Sequence, residues 1–339
     1  MKNIYLIVDN ESFFAHHIKF GQLDKNIMID YFNKYKIDLN IITLNELSFK
    51  LNIKNSIIIT LSSQKPYHKA YIDDIYEYLA LNDNILIPSK NMIKAHDNKG
   101  YQELYKKYIG LFSLKYLYIN KDTINYENVK ELGFPLVLKS LGGSGSKGVQ
   151  LIQNELDLKK EINKLKPSLH IRYFIYLKEM FLNTIMRKYN LEKVEYFKDY
   201  DNYVIQEFIP NLTFDYKVLV FFDKYYVLKR NISKDDFRAS GSGKFEFVEI
   251  EDSLLKYTES IFKQFNEPFM SLDICFDGND YYLIEYQGIH FGPYTQINAK
   301  GFYKKENNKW LFIEEKVKLE EDIVYSLFNH LKINYNDAI

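Results

Sequence analysis

The sequence predicts a chain of mixed class, α/β at its amino-terminal end and α+β thereafter. Three observations carry that expectation. Residues 1–90 alternate strand-like and helix-like runs, which suggests a small parallel sheet. From Tyr203 onward, strand-like runs follow one another through short turns, which suggests antiparallel pairing. Between them, at 135–152, a glycine-rich loop joins two short β-type runs. At 339 residues the chain exceeds the size at which one hydrophobic core keeps growing. The expected division is an amino-terminal β/α domain at 1–90, a connector and glycine-loop subdomain at 91–205, and a carboxyl-terminal subdomain at 206–339.

In the first part, Asn3–Val8, Ile37–Thr43, Ser56–Leu61 and Asn84–Ile87 read as short buried strands, with helical spacing over Asp24–Lys36 and His68–Leu81. Ser62-Ser63-Gln64 follows the third strand at its carboxyl end, where open α/β sheets tend to bind ligands; a plain polar turn is the competing reading. Asn91–Asn120 reads as a helical connector carrying Asp97-Asn98-Lys99. Asp157–Tyr200 reads as mostly helix, interrupted near Pro167, and its many Lys and Arg residues suit a solvated face better than a polyanion site. The chain closes with an amphipathic helix around Glu315–Leu331.

Lys plus Arg and Asp plus Glu both number 45, so global charge argues for neither nucleic acid nor membrane as a partner. The single cysteine, Cys275, excludes an internal disulfide and a Cys-rich zinc site. The first apolar run, Ile4–Val8, is too short for a signal-peptide core, and no run approaches the length of a membrane span. A soluble cytoplasmic protein is the expectation.

Four of the 14 glycines, Gly142, Gly143, Gly145 and Gly148, fall within seven residues, with Ser144 and Ser146 among them and Lys139 and Lys147 alongside. Glycines let backbone amides curl around an anion, and lysine supplies charge. The string departs from the usual phosphate loop, because Lys147 precedes Gly148 rather than Ser or Thr and no helix follows. On its own it reads either as a phosphate cradle or as a flexible hairpin.

Two later hairpins gather charge. In Met270–Phe276 and Tyr281–Gln287, pairing Ile274 with Ile284 and Leu272 with Tyr286 leaves a loop of Gly278-Asn279-Asp280 and sets Asp273 opposite Glu285, with Gln287 further along that face. Facing carboxylates are destabilising unless neutralised. A hard divalent cation would do so, as would protonation or intervening water. In Tyr216–Phe222 and Tyr225–Arg230, a turn at Asp223-Lys224 sets Lys217 opposite Arg230, and Arg238 follows in a second glycine-containing segment. An anion would suit these cations; unrelated surface charges are the alternative.

The order of these parts resembles the ATP-grasp superfamily of carboxylate–amine and peptide-type ligases, among them ribosomal-protein glutamate ligases and D-alanine–D-alanine ligase. The resemblance runs from Asp97-Asn98-Lys99 through the glycine loop, Val204–Pro210, Asp215-Tyr-Lys217, Lys229-Arg230 and Phe237-Arg238 to Asp273, Glu285 and Gln287, over roughly 91–298. It implies an ATP-grasp fold with a Rossmann-like β/α domain in front and nucleotide bound between two α+β subdomains. It implies ATP and Mg²⁺ as cofactors, with Mn²⁺ as an alternative ion, the metal being held by Asp273, Glu285 and Gln287. Lys99, Lys139 and residues Gly142–Gly148 would hold phosphates; Gln206, Glu207, Phe208 and Ile209 would form the hinge around the base; Lys217, Arg230 and Arg238 would serve the transferring phosphoryl group. The implied reaction joins a small carboxylate (amino acid, peptide or sugar acid) to an amine through an acylphosphate. A phosphotransferase and a non-catalytic nucleotide-binding module are the rivals, and a homodimer is an open expectation. Gln287 stands where the family usually has Asn, Lys217 replaces a frequent Arg, and Ser240 replaces Asn. His290 would border the acceptor site, either assisting amine deprotonation or holding structure, and His16-His17 reads as structural or exposed.

Overall fold

The computed structural model describes residues 2–8, 13–17, 21–50, 52–60, 66–112, 114–142, 148–163, 177, 180–181, 202–233, 236–239 and 242–336. Ser62-Ser63-Gln64, residues 143–147, most of 157–200, and Ser240 lie outside that set, as do the side chains of His16 and His17. The chain divides into two compact units, residues 1–114 with 209–339 and residues 115–208.

The first unit opens with β1 (Ile4–Val8), a small hairpin of β2 (Phe13–His17) and β3 (Gly21–Leu23), α1 (Lys25–Lys34), β4 (Leu39–Thr43), α2 (Leu44–Leu47), β5 (Ile57–Ile59), α3 (Pro66–Ala80) and β6 (Ile85–Ile87). The order β4-β1-β5-β6 is parallel throughout. Ile57, Ile58 and Ile59 are all fully buried, as continuous apolar runs are when both faces of a parallel sheet are covered. Asp24 caps α1 by accepting from the backbone N–H groups of Asn26 and Ile27.

A connector of α4 (Lys90–Ala95) and α5 (Lys99–Tyr108) leads to the second unit: β7 (Tyr116–Asn120), α6 (Tyr126–Leu132), β8 (Leu136–Ser140), β9 (Val149–Ile152), α7 (Glu155–Ile162) and β10 (Asn202–Glu207). Its four strands are antiparallel in the order β7-β10-β8-β9. Its core is built from Val129, Leu136, Leu138, Ile152, Leu158, Ile162, Tyr203 and Ile205. The end of the expected connector helix, Tyr116–Asn120, is therefore strand: its aromatic and β-branched residues pair with β10.

The chain then returns through β11 (Phe214–Phe221), β12 (Lys224–Asn231), β13 (Phe245–Glu246), α8 (Asp252–Phe265), β14 (Phe269–Phe276), β15 (Tyr281–Gln287), α9 (Tyr294–Asn298), β16 (Phe302–Glu306), β17 (Lys309–Ile313) and α10 (Leu319–Asn334). The sheet order is β15-β14-β11-β12-β16-β17, with β13 on β12. The closing helix starts four residues later than Glu315, the residue at which the sequence places it.

Strand alternation gives this sheet two apolar faces. Leu219, Phe221, Tyr226 and Phe269 pack with Ile57, Ile59 and Val324, joining the amino-terminal sheet and α10 into one core. Val218, Val220, Leu272, Leu283 and Tyr286 pack on the other side with Met92, Tyr105, Leu255 and Phe262. The connector's apolar residues thus lie in the first unit's core, so the observed units divide the chain differently from the three-part expectation.

Candidate functional site

Along β11 the residues of one sheet face change character. Leu219 and Phe221 are buried apolar, whereas Asp215 and Lys217, further toward the strand's start, are charged. β12 repeats the change from Tyr226 to Arg230, and β14 from Phe269 to Asp273. The apolar end packs into the core, and the other end carries a charged cluster.

The registers correct two expectations. Asp273 does face Glu285, and Leu272 faces Tyr286. Ile274, however, pairs with Leu283, because an irregularity between Asp273 and Ile274 shifts the ladder, and the turn spans Asp277–Asp280. This β-bulge puts Leu283 rather than Ile284 into the core with Tyr286. In the other hairpin the turn is Phe222-Asp223, one residue earlier than expected, with Phe222 at φ 59°. Lys217 therefore faces Leu228 on one side and Asp273 on the other, while Arg230 faces Asp215.

Lys217 and Arg230 nevertheless converge, on Asp273. Arg230 Nη2 lies 2.9 Å from one oxygen of Asp273 and Lys217 Nζ 3.3 Å from the other. Lys217 also donates to Ser271 Oγ at 2.9 Å. Arg230 is held side-on by Asp215, with Nε to Oδ1 at 2.6 Å and Nη2 to Oδ2 at 2.7 Å. Burial opposes charge on Asp273, but the cations of Arg230 and Lys217 outweigh it and hold the carboxyl at about 2. Burial likewise works against the Arg230 cation, and the carboxylates of Asp273 and Asp215 drive its pKa further above its ordinary value.

Glu285 continues the cluster. Lys99, buried at the start of α5, places Nζ 3.8 Å from Glu285 Oε1. Gln287 donates from Nε2 to the same oxygen at 3.3 Å, and its own Oε1 lies 3.3 Å from His96 Nδ1. Asp273 and Glu285 therefore have cationic neighbours in the protein itself, so their opposition does not by itself demand a metal. Among the described residues there is no group of three or more His, Cys, Asp or Glu side chains set to hold one. The two carboxylates still suit Mg²⁺, which takes one or two carboxylates plus phosphate oxygens, while the Gln287 amide turns its nitrogen rather than its oxygen toward Glu285.

In the second unit, Lys139 and Gln206 are both buried and joined by a 2.6 Å hydrogen bond from Nζ to Oε1. Gln206 sits inside the ladder, paired with Tyr116 and Val137. Glu207 accepts from the Lys115 backbone N–H at 2.8 Å, and the unit boundary falls between Phe208 and Ile209. The glycine loop is tied at its base: Ser140 N donates to Gly148 O at 2.9 Å, and Ser140 Oγ to Gly142 O at 3.0 Å. Gly148 has φ +76°, and a Cβ there would collide with Ser140 Oγ. Gly143, Ser144, Gly145, Ser146 and Lys147 lie outside the described residues.

Arg238 is held by Asp236, Nε to Oδ1 at 2.8 Å and Nη2 to Oδ2 at 2.9 Å. His290 is buried, its ring 5.4 Å from that of His96. His96, which meets Gln287, escaped the sequence reading, and Asp215, which grips Arg230, stands in the Asp215-Tyr-Lys217 segment without a role of its own. Asp215 carries a signal, as a carboxylate two residues before Lys217 on the same strand face. His96 carries only its place immediately before Asp97.

No family model matches the sequence, and no curated protein matches it either. Solved structures do match along nearly the whole chain. D-alanine–D-alanine ligase from Bacillus anthracis, complexed with ATP, is 15% identical with a TM-score of 0.54, and the match covers 99% of both chains. The chain has the ATP-grasp fold. D-cycloserine synthetase DcsG, at 9% identity and a TM-score of 0.56, covers 97% of this chain and 99% of its own. An ATP-grasp ligase from Chryseobacterium gregarium, associated with ribosomally made, modified peptides and bound to ADP and a leader and core peptide, is 12% identical, with a TM-score of 0.53 and 97% of each chain covered. At such identities the likeness lies in the path of the chain. On this ATP-grasp frame the charged cluster occupies the β11-β12-β14-β15 end of the large sheet, and Lys139 and Gln206 the centre of the small one.

Proposed function

We propose that the protein is an ATP- and Mg²⁺-dependent ligase that joins a carboxylate to an amine. The observation that carries this reading is the convergence of Lys99, Lys217, Arg230, Asp273 and Glu285 at one end of a sheet whose fold is shared by ATP-grasp ligases. The substrate carboxylate oxygen attacks the γ-phosphorus of ATP and ADP leaves; the amine then attacks the acyl carbon, phosphate leaves, and the amine's proton is released. Charge spreads over the transferring phosphoryl group in the first step, so positioned cations are the chief catalytic requirement. Lys99 and Lys139 would hold the α- and β-phosphates. Arg230, with Nε and Nη2 committed to carboxylates, would offer Nη1 to the transferring group, joined by Lys217 and Arg238.

Asp273, Glu285 and Gln287 would hold Mg²⁺, or Mn²⁺ in its place, which when bound neutralises phosphate charge. Residues Gly142–Gly148 would cover the phosphates and exclude water from the acylphosphate, and Gln206–Ile209 would form the hinge beside the base. The parallel amino-terminal sheet fits a Rossmann-like domain in a cytoplasmic enzyme that acts on an amino acid, a peptide or a sugar acid.

The test is a screen of pooled carboxylates and pooled amines with Mg²⁺ and ATP. ADP and phosphate release that requires both partners is expected, and Glu285→Gln should abolish it. Phosphorylation of an acceptor without any carboxylate would replace this reading with a phosphotransferase.

A further inference from the structure

We propose that His96 is a positioning residue that determines which end of the Gln287 amide faces Glu285. The inference rests on Gln287 being a metal ligand and deepens that reading. His96 is 3% exposed and is fixed from three sides. Its backbone N–H ends α4 by donating to Met92 and Ile93, and its carbonyl accepts from Lys69 Nζ on α3. Its ring lies with Nδ1 3.3 Å from Gln287 Oε1, while Nε2, which has no hydrogen-bond partner among the described residues, lies 3.4 Å from Asp97 Oδ2. A neutral imidazole carries one proton, so one ring nitrogen donates and the other accepts. Asp97 beside Nε2 favours the proton there, which makes Nδ1 an acceptor. An acceptor at Nδ1 calls for the NH₂ end of the Gln287 amide. A half-turn of the amide supplies it, exchanging oxygen and nitrogen while the rest of the side chain stays in place.

The consequence falls on the other end of the amide. With NH₂ on His96, Oε1 faces Glu285 Oε1, now 3.3 Å from the amide nitrogen. Two oxygens at that separation repel each other unless a cation lies with them. With NH₂ on Glu285 instead, the amide presents no oxygen there at all. His96 thus selects the rotamer that presents a third oxygen beside the two carboxylates. Ligand-orienting partners of this kind are worth about ten- to a hundredfold in metal affinity.

The experiment is an electron paramagnetic resonance titration of Mn²⁺ into the full chain with ADP, for the unmutated protein and for His96→Ala, His96→Asn, Gln287→Ala and Glu285→Gln. Expected is an affinity about ten- to a hundredfold weaker in His96→Ala. Most of it should return in His96→Asn, whose amide can replace Nδ1 as the partner of Gln287. In the Mg²⁺–ADP complex, ¹⁵N resonances of the His96 ring should show Nδ1 unprotonated and Nε2 protonated. Unchanged affinity in His96→Ala, or a proton on Nδ1, overturns the inference while leaving the metal site intact if Gln287→Ala and Glu285→Gln still weaken binding. Unchanged affinity in those two variants, or no Mn²⁺ binding at all, removes the metal site and this inference with it. His96→Asn guards against simple misfolding, since a fold defect in His96→Ala alone leaves the rescue and the ring resonances to decide.

Discussion

Arg230 shows how a site residue can be read correctly by type and wrongly by partner. The pattern of cations in the β11–β12 hairpin is visible in the sequence, but a turn displaced by one residue exchanges Lys217 for Asp215 as its cross-strand neighbour. The buried guanidinium is thereby held by two carboxylates, at 2.6 Å from Asp215 and 2.9 Å from Asp273. Asp215→Ala should destabilise the fold by about 1–3 kcal/mol, the usual cost of taking one partner from a buried donor, because Arg230 keeps Asp273. Urea denaturation measures it, and Asp215→Ala with Arg230→Met should lose less than Asp215→Ala alone, because no guanidinium donor is then left unsatisfied and Asp273 keeps Lys217. Equal losses in the single and double variants would show that the pair is not coupled. His96 lies beyond sequence reading for a different reason: it is 191 residues from Gln287, and no local spacing encodes that contact.

Among the elements, the strands of the amino-terminal sheet were legible because continuous apolar runs and helical spacing alternate there. The bulge in β14–β15 was not legible, because both Leu283 and Ile284 are apolar and only packing chooses between them. Two glycines make element contacts testable. Gly148→Ala places a side chain at φ +76° and against Ser140 Oγ, so the base of the glycine loop should lose about 1–3 kcal/mol, read as a lower thermal midpoint. An unchanged midpoint would mean that the loop base is not held as described. Gly288, just after β15, backs directly onto the Met92 side chain of α4. Gly288→Ala should cost about 1–3 kcal/mol through overpacking, and Met92→Ala should relieve part of it. Additive losses in that double-mutant cycle would contradict the close approach of α4 to β15.

At the scale of the whole molecule, two buried groups make stability respond to pH in opposite senses. Burial raises the carboxyl of Glu267, which accepts from the Ser89 backbone N–H, from 4.5 to about 7. Its stabilising contribution is complete below 4.5 and is lost as pH rises through 7. Burial lowers His330 from 6.5 to about 4, so its contribution is complete above 6.5 and is lost as pH falls through 4. Each amounts to about 3 kcal/mol by linkage, and between 4.5 and 6.5 the two slopes offset each other. Glu267→Gln should therefore unmask a stability that climbs with pH from 4 to 6.5, measured by urea midpoints across that range; a flat profile would contradict the assignment. The sequence by itself determined the class of each half, the order of its charged and glycine-rich segments, and hence the ATP-grasp resemblance, because periodicity and residue type are local properties. Only the tertiary structure decided the β-bulge, the pairing of Arg230 with Asp215, the division into two units and the meeting of His96 with Gln287. Those depend on which apolar side chains win places in the core, and burial is settled by the whole chain at once.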